Sequence, residues 1–411
     1  MRHFLKNAHP TGKTVNKGIA IMIILAPPSV SPYLTKALLE LEEPVLISGE
    51  LNVPMRPALT IIDQKNIEQD PKFAYKSLIL TSSENALSAL FDLIPHDDRV
   101  LKSKIFKNKV AFRQALSKRY PQFFFRQVAT QDLGLIDVST LPFPLIMKPA
   151  TGISSIGVAH IQNAKEWNNA VRYLQEDIDK YKNHYTTDVV NCQYVILEEY
   201  IQGPELAVDG FFDSQSEPVI LNILEHLFLN ERDTSDRLYY TRRSLIKKYY
   251  DPLMHFLKQF GDTFDLKRFA FHLELRVKSS GEFVPIELNP LRFSGMGTTE
   301  IAEFAYAINV YKHFFKEKKP DWAHILSQQD DSVYAFACMD VPSALFRQKG
   351  LRIEDRALYQ QLGEVLEYRI LSETETSTFA VVFFRSQDLN EAHRVLAMRL
   401  DQFLSIDPKA T

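Results

Sequence analysis

Residues 269–277, with the sequence FAFHLELRV, alternate between apolar and polar side chains along their whole length. Alternation with a period of two predicts a β-strand that buries one face and carries polar side chains on the other. Ser280-Gly281 supplies residues typical of a turn, and the apolar segment 283–288 follows directly. The pattern therefore predicts a β-hairpin whose loop is Ser280-Gly281.

The predicted loop determines which residues of the two strands face each other. Glu274 then lies opposite Glu287, and His272 lies opposite Asn289. Two carboxylates in such positions are about 5 Å apart and repel each other, so a positive charge has to offset the repulsion. A divalent cation does this, and oxygen ligands from Glu274, Glu287 and Asn289 suit Mg²⁺ or Mn²⁺.

Other interpretations of the hairpin remain open on these residues alone. Its acids can be solvated on an exposed surface, or Arg276 and Arg292 can act as their counter-ions. His272 faces the predicted metal site, but a histidine that is hydrogen-bonded within its strand is a more common case than a catalytic one.

Short strands and a helix follow one another in the first 98 residues. This order predicts a small parallel α/β layer behind a loose N-terminal arm. No glycine fingerprint follows the first strand, so the layer need not bind a dinucleotide. The predicted elements are strands at Ile19–Ala26, Val45–Ile47, Leu59–Asp63 and Leu78–Thr81 and a helix at Ser31–Leu41.

The middle of the chain begins with a basic helical segment, residues 99–119, whose Lys and Arg side chains are for the most part expected to be solvated. The polar segment 231–243 is predicted to be a loop or helix entry that lies over a site. Between and after these segments we expect strands at Phe123–Val128, Leu145–Lys148, 193–201, Glu205–Phe212 and Val219–Leu224, and helices at Asn163–Tyr181, Ile246–Phe260 and Thr298–Lys316.

The tail, residues 330–411, has strands and a helix of its own, which predict a small α+β appendage after a boundary at Lys316–Pro320. Its predicted elements are the strands Val333–Met339, Val365–Leu371 and Phe379–Phe384 and the helix Leu389–Leu404.

The composition is that of an ordinary globular protein of two or three packing units. The 411 residues are 45% hydrophobic and 24% charged, and the net charge of −3 gives no electrostatic reason to expect nucleic acid or an anionic membrane as a partner. The longest apolar run, Ile19–Ala26, is far too short for a membrane span. Cys192 and Cys338 form neither a disulfide framework nor a metal finger, which favours buried, reduced thiols in a cytoplasmic protein.

A loop rich in Gly and Ser follows the strand that ends at Lys148. Gly152 and Gly157 allow the backbone to approach a ligand closely, and Ser154 and Ser155 add hydroxyl donors. With the charge of Lys148, these groups suit the phosphates of a nucleotide. Such a loop is also compatible with an ordinary turn, and it is not a Walker loop because no Gly-Lys-Ser/Thr follows.

The segment Leu197–Glu205, LEEYIQGPE, combines a strand end with three acids. A strand that ends in Glu198, Glu199, Tyr200 and Ile201 offers a backbone edge that can bind adenine. Glu205 is placed to accept hydrogen bonds from ribose hydroxyls. Exposed acids at a strand end are the ordinary alternative.

The order of these motifs resembles the ATP-grasp superfamily, in particular the proteins that ligate carboxylates to amines. The resemblance covers about residues 100 to 315 and implies a pre-ATP-grasp parallel α/β unit before a two-lobed ATP-grasp core. It divides the chain into an α/β domain with its N-terminal arm (1–98), an ATP-grasp domain (99–318) with a lid lobe at about 120–192, and a small C-terminal α+β subdomain (319–411).

The resemblance also implies roles for individual residues. Lys109, after Asn108 where the family usually has Asp, corresponds to the first nucleotide lysine, with Lys104 and Lys107 as alternatives. Lys148 corresponds to the second lysine, and residues 152–157 to the phosphate lid. The remaining positions are Glu198 for the adenine amino group, Glu199, Tyr200 and Ile201 for the hinge, Glu205 for ribose, Glu274, Glu287 and Asn289 for metal, and Arg292, after an additional Leu291, for a substrate phosphate or carboxylate.

The implied activity is ATP-dependent formation of an amide or peptide bond through an acylphosphate, with ATP and Mg²⁺ or Mn²⁺ bound. Phosphoryl transfer of this kind depends on positioning and charge neutralisation, so it needs no protein nucleophile. Alternatives are a small-molecule kinase of the same fold and a nucleotide-binding regulatory protein without turnover. The sequence determines neither the acid and amine nor the oligomeric state, and a homodimer is compatible with it.

Overall fold

The computed structural model describes residues 21–27, 30–51, 58–65, 77–152, 157–181, 191–231, 233, 235–341, 351–371 and 378–406. The predicted N-terminal arm and the lid residues Ser154 and Ser155 lie outside these ranges. Within them, none of the helices is long and apolar enough to cross a membrane.

One large mixed sheet of eleven strands runs through the molecule, in the order β15-β16-β13-β10-β9-β8-β11-β3-β1-β2, with β12 paired to β11. Its strands are β1 (Ile21–Leu25), β2 (Val45–Ile47), β3 (Leu78–Thr81), β8 (Glu205–Phe212), β9 (Pro218–Leu227), β10 (Leu238–Thr241), β11 (Phe269–Val277), β12 (Phe283–Pro290), β13 (Val333–Asp340), β15 (Glu364–Ile370) and β16 (Thr378–Ser386).

The N-terminal end of this sheet is the predicted parallel α/β layer. Strands β2 and β3 pair with β1 in parallel, and all five residues of β1 are buried, as expected for a strand covered on both faces. The strand predicted at Leu59–Asp63 is wrong, because that segment makes a single bridge, from Ile61 to Val45.

The hairpin of β11 and β12 is confirmed, and so is the register of its polar residues. Next to the turn the register differs by one residue from the prediction, so that Leu275 faces Pro285, and a bulge between Glu274 and Leu275 restores it. Glu274 lies opposite Glu287, and His272 lies opposite Asn289. The turn spans residues 278–282, where Gly281 has the positive φ of 85° that favours glycine. Strand β11 also pairs with β8 along its other edge and with β3 at Phe269. The hairpin therefore lies inside the sheet, and its polar residues His272 and Asn289 are buried rather than exposed.

The small four-stranded sheet of the predicted lid lobe has the order β4-β7-β5-β6 and a separate apolar core. Asn163 accepts a hydrogen bond from the Lys165 backbone amide and so caps the 3-10 turn Ala164–Glu166 that leads into the helix of the lobe. The lobe consists of β4 (Phe125–Ala129), β5 (Leu145–Thr151), β6 (Ala159–Ile161), β7 (Asn191–Glu199) and the helix Trp167–Tyr181.

The polar segment 231–243 is only partly the predicted loop. Its residues Leu238–Thr241 form the fully buried strand β10, which pairs with β9 and with β13. The tyrosines at 239 and 240 supply the apolar surface of this strand, while the polar residues on either side hide its pattern. The loop prediction is therefore wrong for Leu238–Thr241, whereas Arg243 begins a helix, as predicted for a helix entry.

The C-terminal tail is not an appendage with a separate sheet. Strands β13, β16 and β15 continue the large sheet through the pairing of β13 with β10. Strand β16 is buried along most of its length, which is typical of a central strand. A two-stranded sheet of β14 (Leu351–Ile353) and β17 (Leu404–Ile406) lies beside it.

The helices cover the sheets, and three of the predicted ones are shorter or interrupted. The basic segment 99–119 divides at Asn108, the segment 298–316 divides at Ala307, and the last helix ends at Leu396. In chain order they are α1 (Pro32–Leu41), α2 (Glu84–Leu93), α3 (Asp98–Lys107), α4 (Lys109–Leu116), α5 (Trp167–Tyr181), α6 (Arg243–Phe264), α7 (Ile301–Tyr306), α8 (Val310–Phe315), α9 (Trp322–Ser327), α10 (Asp355–Tyr359) and α11 (Leu389–Leu396).

Candidate active site

The break between α3 and α4 turns three basic side chains inward. Asn108 ends α3 and caps α4, where its side chain accepts a hydrogen bond from the Ala111 backbone amide at 3.0 Å. Lys107, Lys109 and Arg113 are all buried. Arg99 is buried as well, so the expectation of solvated basic side chains is wrong for four residues of the segment, whereas Lys104 is exposed.

Lys148 and Glu198 form an ion pair on the small sheet. Strands β5 and β7 are neighbours there, and the Lys148 ammonium contacts one oxygen of the Glu198 carboxylate. Arg113 donates from Nε to the other oxygen at 2.6 Å. Burial alone would raise the pKa of Glu198, but the positive charges of Arg113 and Lys148 outweigh this effect and lower the pKa to about 2. Glu198 is thus an ionised acceptor within the site.

Lys109 connects the phosphate-lid segment of the small sheet to the hairpin of the large sheet. Its Nζ donates to the Gly152 carbonyl oxygen at 3.1 Å and lies 3.0 Å from Glu287 Oε2. At the far end of the lid, Gly157 has a φ of 69°, and a Cβ there would lie 2.8 Å from Leu174 Cδ1. Both the positive φ and the lack of space therefore favour glycine at Gly157 without any reference to a ligand.

Lysines offset the repulsion between the two facing carboxylates of the hairpin. Lys107 Nζ lies 3.5 Å from Glu287 Oε1, and Lys109 binds the other oxygen. Burial raises the pKa of Glu287, but the charges of Lys109 and Lys107 lower it to about 2. Glu274 faces His272, whose Nε2 lies 3.4 Å from Oε1. The counter-ions of these two acids are therefore lysines and a histidine. Arg276 and Arg292 bind other acids, Glu205 and Glu84.

Glu84 is a site residue that the sequence does not reveal. It is the first residue of α2, and its Oε1 contacts Lys107 Nζ at 3.0 Å and Arg292 Nη2 at 2.8 Å. Arg292 also donates to Asn289 Oδ1 at 2.8 Å. An acid in the first turn of a helix is common, so no local signal separates Glu84 from a helix-end residue.

His272 is a satisfied strand histidine, as expected. Its Nδ1 lies 2.9 Å from Asp209 Oδ1. Burial lowers the pKa of His272, but Asp209 and Glu274 raise it to about 9. Asp209 Oδ1 also accepts a hydrogen bond from the Ser294 backbone amide, which ties the loop after the hairpin to strand β8.

The predicted hinge and ribose acid form a second group of contacts around Arg276. Glu205 binds His226 and Arg276, and Arg276 also donates to Tyr200 Oη and to the Ile201 carbonyl oxygen. Glu199 is directed elsewhere, since its Oε2 accepts from the Phe124 backbone amide.

The structure thus brings together most of the predicted residues at the line where the two sheets meet. Within the described residues, no group of three or more His, Cys, Asp and Glu side chains is arranged to hold a metal ion. The predicted set has two carboxylates and one amide, and its oxygens suit a hard cation by type. Its metal role remains a prediction.

Comparison with known proteins shows which domain family the middle of the chain resembles. Residues 141–300 match the model of an ATP-grasp domain family, a range that contains Lys148, Glu198, Glu274 and Glu287. No protein of curated function matches the sequence significantly. Residues 141–300 are therefore similar to an ATP-grasp domain.

Solved structures share this fold over nearly the whole chain at low sequence identity. An L-amino acid ligase from Bacillus licheniformis is 16% identical, with a TM-score of 0.63 over 95% of this chain and 99% of the other. N5-carboxyaminoimidazole ribonucleotide synthetase from Thermotoga maritima is 16% identical (TM-score 0.59, 94% and 99%). Biotin carboxylase from Campylobacter jejuni is 13% identical (TM-score 0.57, 94% and 92%). Likeness at this identity establishes the fold, so the reaction has to be inferred from the site.

Proposed function

We propose that this protein is an ATP-dependent ligase that joins a carboxylate to an amine through an acylphosphate and releases ADP and phosphate. One observation carries the proposal. Buried lysines from α3, α4 and β5 converge with Glu198 of the small sheet and with the Glu274–Glu287 pair of the large sheet. Such a convergence of cations and acids suits a metal-bearing triphosphate.

The nucleotide is assigned to the line between the two sheets. Lys109, Lys148 and the lid residues Gly152, Ser154, Ser155 and Gly157 bind its phosphates. Adenine lies along Glu198–Ile201, and Glu205 accepts from the ribose. Lys109 supports this assignment, because it already contacts the lid backbone on one side and the hairpin acid on the other.

Glu274, Glu287 and Asn289 fit Mg²⁺ or Mn²⁺ by the chemistry of their oxygens. At present Lys107 and Lys109 neutralise Glu287, and Lys107 and Arg292 donate to Asn289 Oδ1. A bound divalent cation supplies additional positive charge against the phosphates. When a divalent cation neutralises Glu287, Lys107 and Lys109 are available to bind phosphate oxygens.

The reaction has two displacements. A carboxylate oxygen of the substrate attacks the γ-phosphorus, the bond to the β-phosphate oxygen breaks, and ADP leaves. The amine nitrogen then attacks the acyl carbon, the bond to the phosphate oxygen breaks, and the amine loses a proton to solvent. The lysines of the chain offset the charge on the transferred phosphoryl group, and Arg292 orients the substrate carboxylate.

Hydroxylamine trapping tests this reaction. The protein is incubated with ATP, Mg²⁺ and a panel of carboxylic acids, including amino acids, with and without hydroxylamine, while ADP and hydroxamate are measured. We expect ADP release that depends on one class of acid, together with a hydroxamate formed from that acid.

ADP release with a phosphorylated hydroxyl compound and without hydroxamate would instead identify a kinase. Absence of ATP consumption across acids, amines and alcohols would indicate a binding protein and contradict the proposal.

A further inference from the structure

Arg276 forms an ion pair with Glu205, the carboxylate that the proposed function assigns to the ribose. The two residues are direct neighbours across strands β11 and β8, and His226 is the neighbour of Glu205 on the other side, across β8 and β9. The three side chains thus form a row across three strands of the large sheet. Glu205 lies in the middle and is buried.

The acceptor capacity of Glu205 is nearly used up by this row. Its Oε2 accepts from Arg276 Nε at 3.0 Å and from Arg276 Nη2 at 2.9 Å. Its Oε1 lies 3.0 Å from His226 Nδ1. Because a carboxylate offers about four lone-pair positions, roughly one remains for a ligand.

His226 is a donor on both sides. Its Nε2 lies 3.0 Å from the Ser235 carbonyl oxygen, and its Nδ1 faces the Glu205 carboxylate. Both partners are acceptors, so both ring nitrogens carry protons. Burial lowers the pKa of His226, but the hydrogen bond and charge of Glu205 raise it above its ordinary value.

Several further contacts hold the Arg276 guanidinium in place. Nη1 donates to Tyr200 Oη at 2.9 Å and to the carbonyl oxygens of Ile201 at 3.3 Å and Gly203 at 3.4 Å. The guanidinium also lies over the rings of Tyr200 and Phe228, at 5.1 and 5.2 Å from their centroids. A nucleotide that displaced Arg276 would have to break all of these contacts, so the ion pair is expected to persist when a ligand binds.

We propose that Arg276 restricts Glu205 to a single ribose hydroxyl and so determines which sugars the nucleotide site accepts. The site then binds a nucleotide that lacks the second hydroxyl almost as tightly as ATP. This inference rests on the proposed function, because that function assigns the ribose to Glu205.

The test is calorimetric measurement of the dissociation constants of ATP, 2′-deoxyATP and 3′-deoxyATP for the wild-type protein and for Arg276→Met. For the wild type we expect about tenfold weaker binding of one deoxynucleotide, the size typical of a lost hydrogen bond to a charged group. The other should bind within about twofold of ATP. In Arg276→Met, Glu205 regains two acceptor positions, so both deoxynucleotides should bind about tenfold more weakly than ATP.

Arg399→Met is the matched control, because Arg399 is well exposed near the C-terminal end of the described chain, and it should reproduce the wild-type pattern. A wild type that loses affinity for both deoxynucleotides would overturn the inference and leave the proposed function intact. The inference would also be overturned if Arg276→Met, shown to be folded by its thermal unfolding curve, kept the wild-type order of affinities for the three nucleotides. Failure of all proteins to bind ATP would overturn the proposed function itself. If Arg276→Met does not fold, Arg276→Lys takes its place, and the wild-type comparison alone still tests whether the site contacts a single ribose hydroxyl.

Discussion

Two acids of the candidate site are each neutralised by two bases from distant parts of the chain. Glu287 faces Lys107 and Lys109, and Glu198 faces Arg113 and Lys148. Buried charges that have such partners are tolerated, whereas removal of one partner leaves the other uncompensated. The side chains that are expected to bind the nucleotide are therefore also part of the stability of the protein.

Glu287→Gln should abolish turnover in a protein that still folds, with a lower stability because buried Lys109 loses its ion-pair partner. The substitution keeps the shape of the side chain and removes the negative charge that the proposed metal site and both lysines require. Lys107 retains Glu84 as a partner. ADP release measures turnover, and thermal unfolding measures stability.

Glu282→Gln is the matched control for this variant, because Glu282 lies in the turn of the same hairpin and is exposed. It should behave like the wild type. Near-normal turnover of Glu287→Gln would refute the metal assignment.

Glu198→Gln should destabilise the protein in a pH-dependent manner. The pKa of Glu198 is about 2 in the folded state, below its ordinary value of 4.5, so the ionised form contributes stability above pH 4.5. We expect a loss of about 3 kcal/mol in the free energy of unfolding at pH 7, as for a broken buried ion pair. The difference from the wild type should shrink as the pH falls from 4.5 towards 2.

Urea unfolding of both proteins at several pH values measures this difference. A gap between wild type and variant that stays constant from pH 7 to pH 2.5 would show that ionisation of Glu198 contributes nothing to folding.

The sequence predicts the facing pair of the hairpin from the period of two and a two-residue loop. The actual loop is longer, and the bulge between Glu274 and Leu275 that brings the pair together was not predicted. Lys148 and Glu198 are predicted only through the resemblance to the order of ATP-grasp motifs, because each motif alone is compatible with an ordinary loop or an exposed strand end. Arg113 and Glu84 cannot be predicted, since each enters the site through the packing of a helix against a distant strand. Their spacing along the chain carries no trace of these contacts.

At the scale of the elements, the connection between β7 and β8 lies directly on the end of β11. Gly203 in this connection has a φ of 127°, and a Cβ there would lie 1.9 Å from the Val277 carbonyl oxygen. A backbone atom in a paired strand cannot move away as a side chain can. Glycine is therefore required here by both conformation and space.

Gly203→Ala should lower the free energy of unfolding by more than about 3 kcal/mol, at the upper end for a single substitution. Thermal and urea unfolding measure the loss. Gly281→Ala is the comparison: its φ is 85°, but no atom lies within 4 Å of the added Cβ. That variant should lose only the strain of a left-handed residue, about 1–2 kcal/mol. Equal losses in the two variants would contradict the steric explanation.

Elements with a clear period were predicted correctly, and elements whose limits depend on neighbours were not. Strands β5, β8 and β11 have apolar patterns that can be recognised without knowledge of the neighbouring elements. Strand β10 was missed because its four residues are flanked by charges, and the division of the basic helix at Asn108 was missed because a cap inside a helical pattern gives little signal.

At the scale of the whole molecule, one cluster of polar side chains joins the first, middle and last parts of the chain. Ser31 at the start of α1 donates to Glu300, which Arg369 of β15 binds at 2.6 Å. Arg369 also binds Glu367, which accepts from Tyr33 Oη at 3.2 Å. Glu300 is almost completely buried, so Arg369 is its main source of compensating charge.

Arg369→Ala should lower the free energy of unfolding by about 3 kcal/mol, because it leaves the buried carboxylate of Glu300 without its cation. Arg399→Ala removes an arginine from an exposed pair with Asp401 and should lose less than about 1 kcal/mol. Urea unfolding of both variants provides the measurement. A loss for Arg369→Ala as small as that for Arg399→Ala would show that the cluster does not hold the three parts together.

The sequence predicts the three-part order of the chain but not how the parts join. The tail was expected to be an appendage, yet β13 pairs with β10 about 100 residues earlier in the chain. Pairings of this kind depend on which strand edges remain available after the core has formed, and local patterns do not contain that information. The domain boundaries at residues 98/99 and 318/319 remain a prediction.

The central claim is that the line between the two sheets binds ATP with Lys148 at its phosphates. Calorimetric titration of the wild type, Lys148→Ala and the exposed control Lys165→Ala with ATP and Mg²⁺ tests it most directly. We expect the wild type and the control to bind ATP with the same affinity. Lys148→Ala, once thermal unfolding has shown that it is folded, should bind ATP at least about tenfold more weakly. An unchanged affinity in Lys148→Ala would contradict the claim.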